Sequence, residues 1–259
     1  MSHFVLHKLS AHLMRNIKLI IEYDGSDYQG WQRQKNTQKT IQEIIEKALK
    51  RILQERVRLI ASGRTDAGVH AVGQVANFKA RTKIPSRKLK QALNSLLPDD
   101  IVITKVENVD LKFHSRFDAK SKIYRYTILN QKHPSALWRN FAYYLSYKLD
   151  VKKMQRAARF LLGQHDFSSF QAKDNRPRES IRVIKKIKVS RERNFIFIDI
   201  EANGFLYKMT RNIVGTLIEI GRKNQPLTSI KEILASRNRQ SAGPTVPAGG
   251  LCLLKVKYR

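Results

Sequence analysis

Residues 16–23, NIKLIIEY, and residues 40–53, TIQEIIEKALKRIL, contain the change of hydrophobic period from which the fold can be predicted. In the first stretch apolar side chains alternate with polar ones, which is typical of a β-strand with one buried face. In the second, apolar residues return every three or four positions, which predicts an amphipathic helix. Thr40 and Glu43 have the spacing of a capping box at the start of that helix.

The chain continues with two strands, a helix and a further strand. Residues 57–61 and 71–78 have strand patterns. A helix is predicted to begin at Pro85 and to end before Pro98, and residues 101–107 form the next strand. The resulting order, strand, helix, strand, strand, helix, strand, is that of the ferredoxin-like fold.

The remaining chain repeats this order. The predicted elements are strands at 124–129, 180–189, 195–202 and 252–258, helices at 151–162 and 206–218, and a short extra helix at 230–234. Asp150 is placed to cap the first of these helices and Gly163 to end it. We therefore predict an α+β protein of two ferredoxin-like halves, residues 14–112 and 113–259, joined near residues 110–120. Their antiparallel sheets are expected to join into one larger sheet with a central cleft.

The sequence is strongly basic. Its 50 Lys and Arg residues against 21 Asp and Glu give a formal net charge of +29 in 259 residues. So large an excess rarely serves folding, because like charges in a compact body repel one another. A polyanionic partner explains it, with nucleic acid as the first candidate and an anionic membrane surface as the second. No apolar run approaches the roughly 18 residues that cross a bilayer, so membrane insertion is not expected.

Two clusters of basic residues are candidate contacts for RNA phosphates. The first cluster is Lys79, Arg81, Lys83, Arg87, Lys88 and Lys90, and the second is Arg176, Arg178, Arg182, Lys185, Lys186, Lys188, Arg191 and Arg193. A merely solvated surface is the alternative, but phosphate binding is favoured at this net charge. Such contacts position an RNA without reading its sequence.

Cysteine and histidine usage narrows the chemistry. Cys252 is the only cysteine, so neither an intrachain disulfide nor a Cys-based zinc site can form, and a reducing cytoplasm is the expected setting. Residues 1–13 contain His3, His7 and His12, which could in principle bind a metal. A flexible extension is the preferred interpretation of that segment, and no metal site is predicted.

The loop at residues 63–70, GRTDAGVH, places an acid, a base and an imidazole between two predicted strands. Its two glycines allow backbone conformations that other residues resist. The residues alone leave two interpretations open, a catalytic loop and a hairpin turn with solvated charges. His70 in this loop and Asp166 in a later turn are expected to be structural.

Several short motifs accompany this loop in a fixed order. They are YDG at 23–25, GWQ at 30–32, FHSRF at 113–117, YRY at 124–126, GQHDF at 163–167 and GFLYKMTRNIVG at 204–215. With the loop at 63–70, they resemble the tRNA pseudouridine synthase A family over nearly the whole chain from residue 14. Two small departures are Thr210, where the family has an apolar residue, and the turn at 247–251.

The resemblance implies an isomerase that converts uridine to pseudouridine at nucleotides 38–40 of the tRNA anticodon stem-loop. It also implies a homodimer and no cofactor. Asp66 would be the catalytic carboxylate. By motif, Tyr124 would stack on the uracil and relay a proton from C5, and Arg211 would keep Asp66 ionised. Arg64 would help to hold the target base out of the RNA stack.

A non-catalytic basic RNA-binding protein is the alternative function. Asp66 discriminates between the two, because a binding module needs no carboxylate amid phosphate-binding charge. Other nucleic-acid enzymes are disfavoured. A zinc deaminase needs paired cysteines, and a phosphate-loop NTPase needs a glycine–lysine signature that is missing. Cys252, which a uracil methylase would need as its nucleophile, lies in a strand pattern far from any motif.

Overall fold

A sheet of ten strands organises the protein. The computed structural model describes residues 14–173, 179–222 and 226–258. The predicted extension at 1–13 and two members of the second basic cluster, Arg176 and Arg178, lie outside the described residues. The strands are β1 (Met14–Tyr23), β2 (Ile60–Ala61), β3 (His70–Arg81), β4 (Ile101–Val109), β5 (Ser121–Asn130), β6 (Tyr143–Leu145), β7 (Gly163–Asp166), β8 (Ile181–Glu192), β9 (Phe195–Ala202) and β10 (Leu251–Lys257). The helices are α1 (Ile41–Leu53), α2 (Ser86–Asn94), α3 (Val151–Ala158), α4 (Met209–Gly221) and α5 (Ser229–Ser236).

Both halves of the chain pair their main strands in the order fourth, first, third, second. In the first half β4, β1 and β3 are antiparallel neighbours and β2 pairs with β3. In the second half β10, β5, β9 and β8 follow the same antiparallel pattern. This is the pairing expected of a split βαββαβ unit. The predicted α+β class and the single large sheet are confirmed, and the division between residues 112 and 113 stays a prediction.

The two halves join where β10 runs parallel to β3. Only two residue pairs form this join, Cys252 with His70 and Leu253 with Ala71. β2 occupies the same edge of β3 further along, where it pairs with Ala76 and Asn77. The loop at 62–69, which connects β2 to β3, therefore lies beside the join and faces the second half.

The predicted periodicities describe the core correctly. Ile17, Leu19 and Ile21 alternate along β1 and are fully buried, as are Ile41 and Ile45 on α1. Each such side chain stabilises the fold by about 1.5–3 kcal/mol relative to an exposed one. α1 packs against α2, and α3 packs against α4. None of the helices in the described residues is long and apolar enough to cross a membrane.

The predicted capping box of α1 is wrong. The Thr40 side chain makes no capping hydrogen bond, and its hydroxyl is buried without a partner among the described residues. The amides of Ile41 and Gln42 instead donate to the carbonyls of Gly30 and Trp31, at 3.2 and 3.0 Å. Because those carbonyls satisfy the first turn of the helix, no side-chain cap is needed. Glu43 lies 3.5 Å from Lys47.

Other predicted boundaries were less accurate than the element order. α2 ends at Asn94, whose side chain bonds to both the carbonyl and the amide of Ile103, and not immediately before Pro98. β2 has two residues where five were predicted. β6 and β7 were not predicted. The Asp150 cap is confirmed, since its carboxylate accepts from the Lys153 amide at 2.9 Å.

Candidate active site

A cleft of about 1460 Å³ lies at the join between the halves. All four residues that the motifs selected, Arg64, Asp66, Tyr124 and Arg211, line this cleft. Two come from the loop between β2 and β3, one from β5 and one from α4. The cleft is larger than the 300–1,000 Å³ typical of small-molecule sites, so it has room for part of a macromolecule.

Close backbone contacts fix the loop that carries Asp66. A Cβ atom on Gly30, which has φ of +82°, would lie 2.6 Å from the carbonyl oxygen of Thr65. Only glycine allows this approach, and it lets the Trp31 amide donate to that carbonyl at 3.1 Å. The Thr65 hydroxyl also lies 2.8 Å from the Tyr23 hydroxyl. The residue before Asp66 is therefore held from both sides.

The two ends of the same loop are also fixed. Gln74 donates from its side-chain amide to the Gly63 carbonyl at 3.0 Å and accepts from the Ser62 hydroxyl at 2.8 Å. At the other end the Val69 amide donates to the Asp66 carbonyl at 3.2 Å. Hydrogen bonds to neighbouring groups thus fix the loop at both ends, and with it the position of Asp66.

His70 belongs to the support of this loop and not to the lining of the cleft. It begins β3 and is buried, and its Nδ1 accepts from the Gly25 amide at 3.0 Å. Its Nε2 lies 2.8 Å from the Asn140 carbonyl and 3.0 Å from the Gly249 carbonyl. These contacts link the loop to two segments of the second half, in agreement with the expected structural role.

Asp66 and Arg211 form an ion pair across the join. The guanidinium Nη1 of Arg211 lies 3.2 Å from Oδ2 of Asp66, and its Nε donates to the Val246 carbonyl at 2.7 Å. Arg211 sits in the first turn of α4, where the helix dipole also favours a nearby negative charge. The Asp66 carboxylate keeps 26% of its side-chain surface exposed, so it remains accessible from the cleft.

Tyr124 supplies an aromatic wall close to Asp66. Its ring is buried and meets Phe205 edge-on, with the ring centroids 4.9 Å apart. Burial, with smaller contributions from the charges of Tyr23 and Asp66, raises the pKa of Tyr124 well above its usual range. The hydroxyl therefore stays protonated at neutral pH. Arg64, in contrast, is exposed at the mouth of the loop.

Comparisons with known proteins identify the family of this chain. The family model described as tRNA pseudouridine synthase matches residues 19–118 and 157–259. The chain belongs to the tRNA pseudouridine synthase family. A protein of Acetivibrio thermocellus called tRNA pseudouridine synthase A is 50% identical over 95% of this chain and all of its own length. Proteins called tRNA pseudouridine synthase A from Thermoanaerobacter sp. and tRNA pseudouridine synthase A 2 from Clostridium perfringens are 47% and 48% identical over the same shares.

Family membership confirms the resemblance inferred from the motifs, and the structure adds two cleft residues that were not predicted. Phe205 packs on Tyr124, and Lys122 lies two residues before Tyr124 on β5. The period of two along a strand puts Lys122 and Tyr124 on one face, so this pattern could have identified Lys122. Phe205 lies inside a quoted motif of the tRNA pseudouridine synthase family, but nothing in its sequence context distinguished it there.

The other candidate groups lie outside the chemistry expected of the family. Asp166 accepts from the Ser168 amide at 2.9 Å and pairs with Arg237 at 3.2 Å, as expected of a structural residue. Burial raises the pKa of the Cys252 thiol to about 11, which suits a structural cysteine rather than a nucleophile. In the described ranges no group of three or more His, Cys, Asp or Glu side chains is arranged to hold a metal ion.

Proposed function

We propose that this protein isomerises uridine to pseudouridine at nucleotides 38–40 of the tRNA anticodon stem-loop, with Asp66 as the catalytic carboxylate. One observation carries the proposal. In a chain of the tRNA pseudouridine synthase family, an accessible carboxylate is held by Arg211 at 3.2 Å in a cleft that is also lined by Tyr124. A module that only bound RNA would gain nothing from a carboxylate in this position.

The reaction is balanced within the substrate. The bond between uracil N1 and ribose C1′ breaks, the base turns, and a bond forms between C5 and C1′. The hydrogen at C5 leaves as a proton, and N1 takes up a proton. Three routes are open to Asp66: attack on ribose C1′, attack on uracil C6, and removal of a ribose proton. Each route starts from a carboxylate in contact with the target uridine. The accessible and fixed Asp66 side chain serves each of these routes.

The remaining cleft residues have separate roles in this proposal. Tyr124 stacks on the uracil, and its hydroxyl takes up the proton from C5 as it passes its own proton on toward N1. Arg211 places its guanidinium 3.2 Å from the Asp66 carboxylate. Arg64, exposed next to Asp66, occupies the gap that the target base leaves in the RNA stack, because a stacked base cannot reach the carboxylate without being flipped. No cofactor takes part, since an isomerisation needs neither an electron carrier nor an energy donor. The cytoplasm is the expected compartment.

Mapping pseudouridine by mass spectrometry tests this function directly. Unmodified tRNA is incubated with purified protein, with and without exhaustive treatment with EDTA. We expect pseudouridine at nucleotides 38–40 in both samples. RNA binding without any pseudouridine would favour the alternative of a non-catalytic RNA-binding protein. Loss of turnover that an added metal restores would contradict the cofactor-free reaction.

The homodimer belongs to the same proposal and is supported by an exposed apolar segment. Leu137 is 84% exposed, and Trp138 and Phe141 beside it are 44% and 40% exposed. Trp138 packs edge-on against Phe195 with ring centroids 4.9 Å apart, so the segment is anchored on the sheet. A cluster of exposed apolar side chains on an anchored segment is typical of an interaction surface.

Leu137→Asp is expected to convert the dimer into a monomer, because it places a charge within the apolar surface that the partner must bury. Sedimentation at micromolar concentration measures the result. Leu111→Asp, at another exposed leucine, is the matched control and should remain dimeric. A fully active wild-type monomer at that concentration would contradict the dimer, and a dimeric Leu137→Asp would move the interface elsewhere.

A further inference from the structure

Lys122 lines the cleft and has no acidic partner among the residues that the structure describes. It points to the same face of β5 as Tyr124, and its neighbours in the sheet are Ala202 on β9 and Val256 on β10. Within the part of the chain that the structure describes, no hydrogen bond or ion pair reaches its ammonium group, and no carboxylate contributes to its pKa. A charged group that is largely removed from water normally has a partner of opposite charge.

The opposite face of the same strands shows that this arrangement is particular to the cleft. There the guanidinium of Arg125 makes two hydrogen bonds to the carboxylate of Asp199, at 2.7 and 2.8 Å. The ammonium of Lys257 lies 2.9 Å from both oxygens of Glu201. These two basic side chains on the opposite face, on β5 and β10, are each paired with a carboxylate on β9, whereas Lys122 has no such partner among the described residues.

Lys122 is also close to two further cations. Burial, together with the charges of Arg116 and Arg182, lowers the pKa of Lys122 to about 8. All three residues line the cleft. An anion bound where these three side chains line the cleft would relieve their mutual repulsion.

Two glycines make room for this cationic cluster. A Cβ atom on Gly63 would lie 2.9 Å from the Lys122 ammonium, and one on Gly204 would lie 3.3 Å from Nε of Arg182. The ammonium thus rests on the loop that carries Arg64 and Asp66. Arg182 is oriented by a hydrogen bond from its Nη1 to the Glu179 carbonyl at 2.9 Å.

We propose that Lys122, with Arg116 and Arg182, binds a backbone phosphate of the RNA next to the target uridine and so positions the uridine against Asp66. This inference rests on the proposed function. Two residues along a strand span about 6.8 Å, so Lys122 reaches the phosphate of a nucleotide whose base lies on Tyr124. A phosphate suits the site because its oxygens can accept from one ammonium and two guanidinium groups together. Lys122 is then a positioning residue.

Binding measurements with a short stem-loop RNA test the phosphate site without requiring turnover. Lys122→Met keeps much of the side-chain volume and removes the charge. It should weaken RNA binding about tenfold, as expected when one charge-assisted hydrogen bond is lost. The slope of log affinity against log salt should become shallower by about 0.7–0.9. Lys122→Arg should restore both values. Lys152→Met, which removes an exposed charge on α3 away from the cleft, is the matched control and should change neither.

Replacing single phosphates by neutral methylphosphonates identifies the contact. For one phosphate flanking the target uridine, wild-type protein and Lys122→Met should bind the modified RNA equally well, because the partner of Lys122 is gone. At every other phosphate the tenfold difference should persist. If Lys122→Met bound more weakly than wild-type protein by the same factor whichever phosphate was replaced, the phosphate assignment would be wrong. An unchanged slope of log affinity against log salt for Lys122→Met would also overturn it. Absence of pseudouridine with wild-type protein would instead refute the proposed function, and the salt slope would still report on the phosphate site.

Discussion

Replacing Asp66 with asparagine is expected to lower the rate of pseudouridine formation by at least ~10³-fold, about 4 kcal/mol of activation barrier. Asparagine keeps the size of the side chain and removes its charge and most of its nucleophilicity. Each of the three routes open to Asp66 needs a carboxylate, so none of them survives the change. The rate is measured in single turnovers with saturating tRNA, which separates chemistry from binding.

Binding and folding should be almost unaffected by Asp66→Asn. The loop is held by the backbone contacts of Thr65 and Gly63, and Arg211 keeps its hydrogen bond to the Val246 carbonyl. RNA affinity should be equal or slightly higher, because a negative charge is removed from a basic cleft. Asp27→Asn, at an exposed carboxylate, is the control and should keep full activity. Near-normal activity of Asp66→Asn would refute the proposed role, and unfolding would make Asp66 a structural charge.

Tyr124→Phe is expected to lower turnover by about 10²–10³-fold, within the range for losing a group that transfers a proton. The aromatic ring remains, so its contact with Phe205 and the stacking on uracil are kept. Only the hydroxyl, which burial keeps protonated, is removed. Release of tritium from tRNA labelled at uridine C5 measures the affected step.

Tyr144→Phe is the matched control for this change. The Tyr144 hydroxyl donates to the Lys132 carbonyl at 2.8 Å on the exposed side of the protein, and its loss should leave tritium release unchanged. RNA affinity should stay within about twofold for both variants, since neither hydroxyl is a charged contact. If Tyr124→Phe released tritium at the wild-type rate, the role of Tyr124 would be stacking alone.

The order of the main elements could be predicted because apolar periods are a local property of the sequence. β9 was predicted with its observed bounds, Phe195–Ala202, since its apolar side chains alternate and only one face is fully buried. β6 and β7 were missed because three or four residues are too few to establish a period. The capping box failed for another reason, since distant carbonyls of Gly30 and Trp31 satisfy the first turn of α1.

The four site residues that were predicted, Arg64, Asp66, Tyr124 and Arg211, are the ones that a motif marked. Without the family resemblance, the loop at 63–70 could be either a catalytic loop or a hairpin turn with solvated charges. The contact between Asp66 and Arg211 joins residues 145 positions apart, so no local pattern contains it. Lys122 was not predicted because it stands out only by lacking an acidic partner. That depends on its neighbours in the sheet, Ala202 on β9 and Val256 on β10, which are distant in sequence.

Only two residue pairs between β3 and β10 connect the sheets of the two halves, and this limits how the chain could be divided into fragments. Arg64 and Asp66 precede the connection at residues 110–120, whereas Tyr124 and Arg211 follow it, and His70 in the first half contacts the carbonyls of Asn140 and Gly249 in the second. A chain cut between residues 110 and 120 would give one fragment with the acid and another with its cation and aromatic wall. Under the proposed function neither fragment would contain the whole site, so pseudouridine formation would return only when the two fragments reassociate.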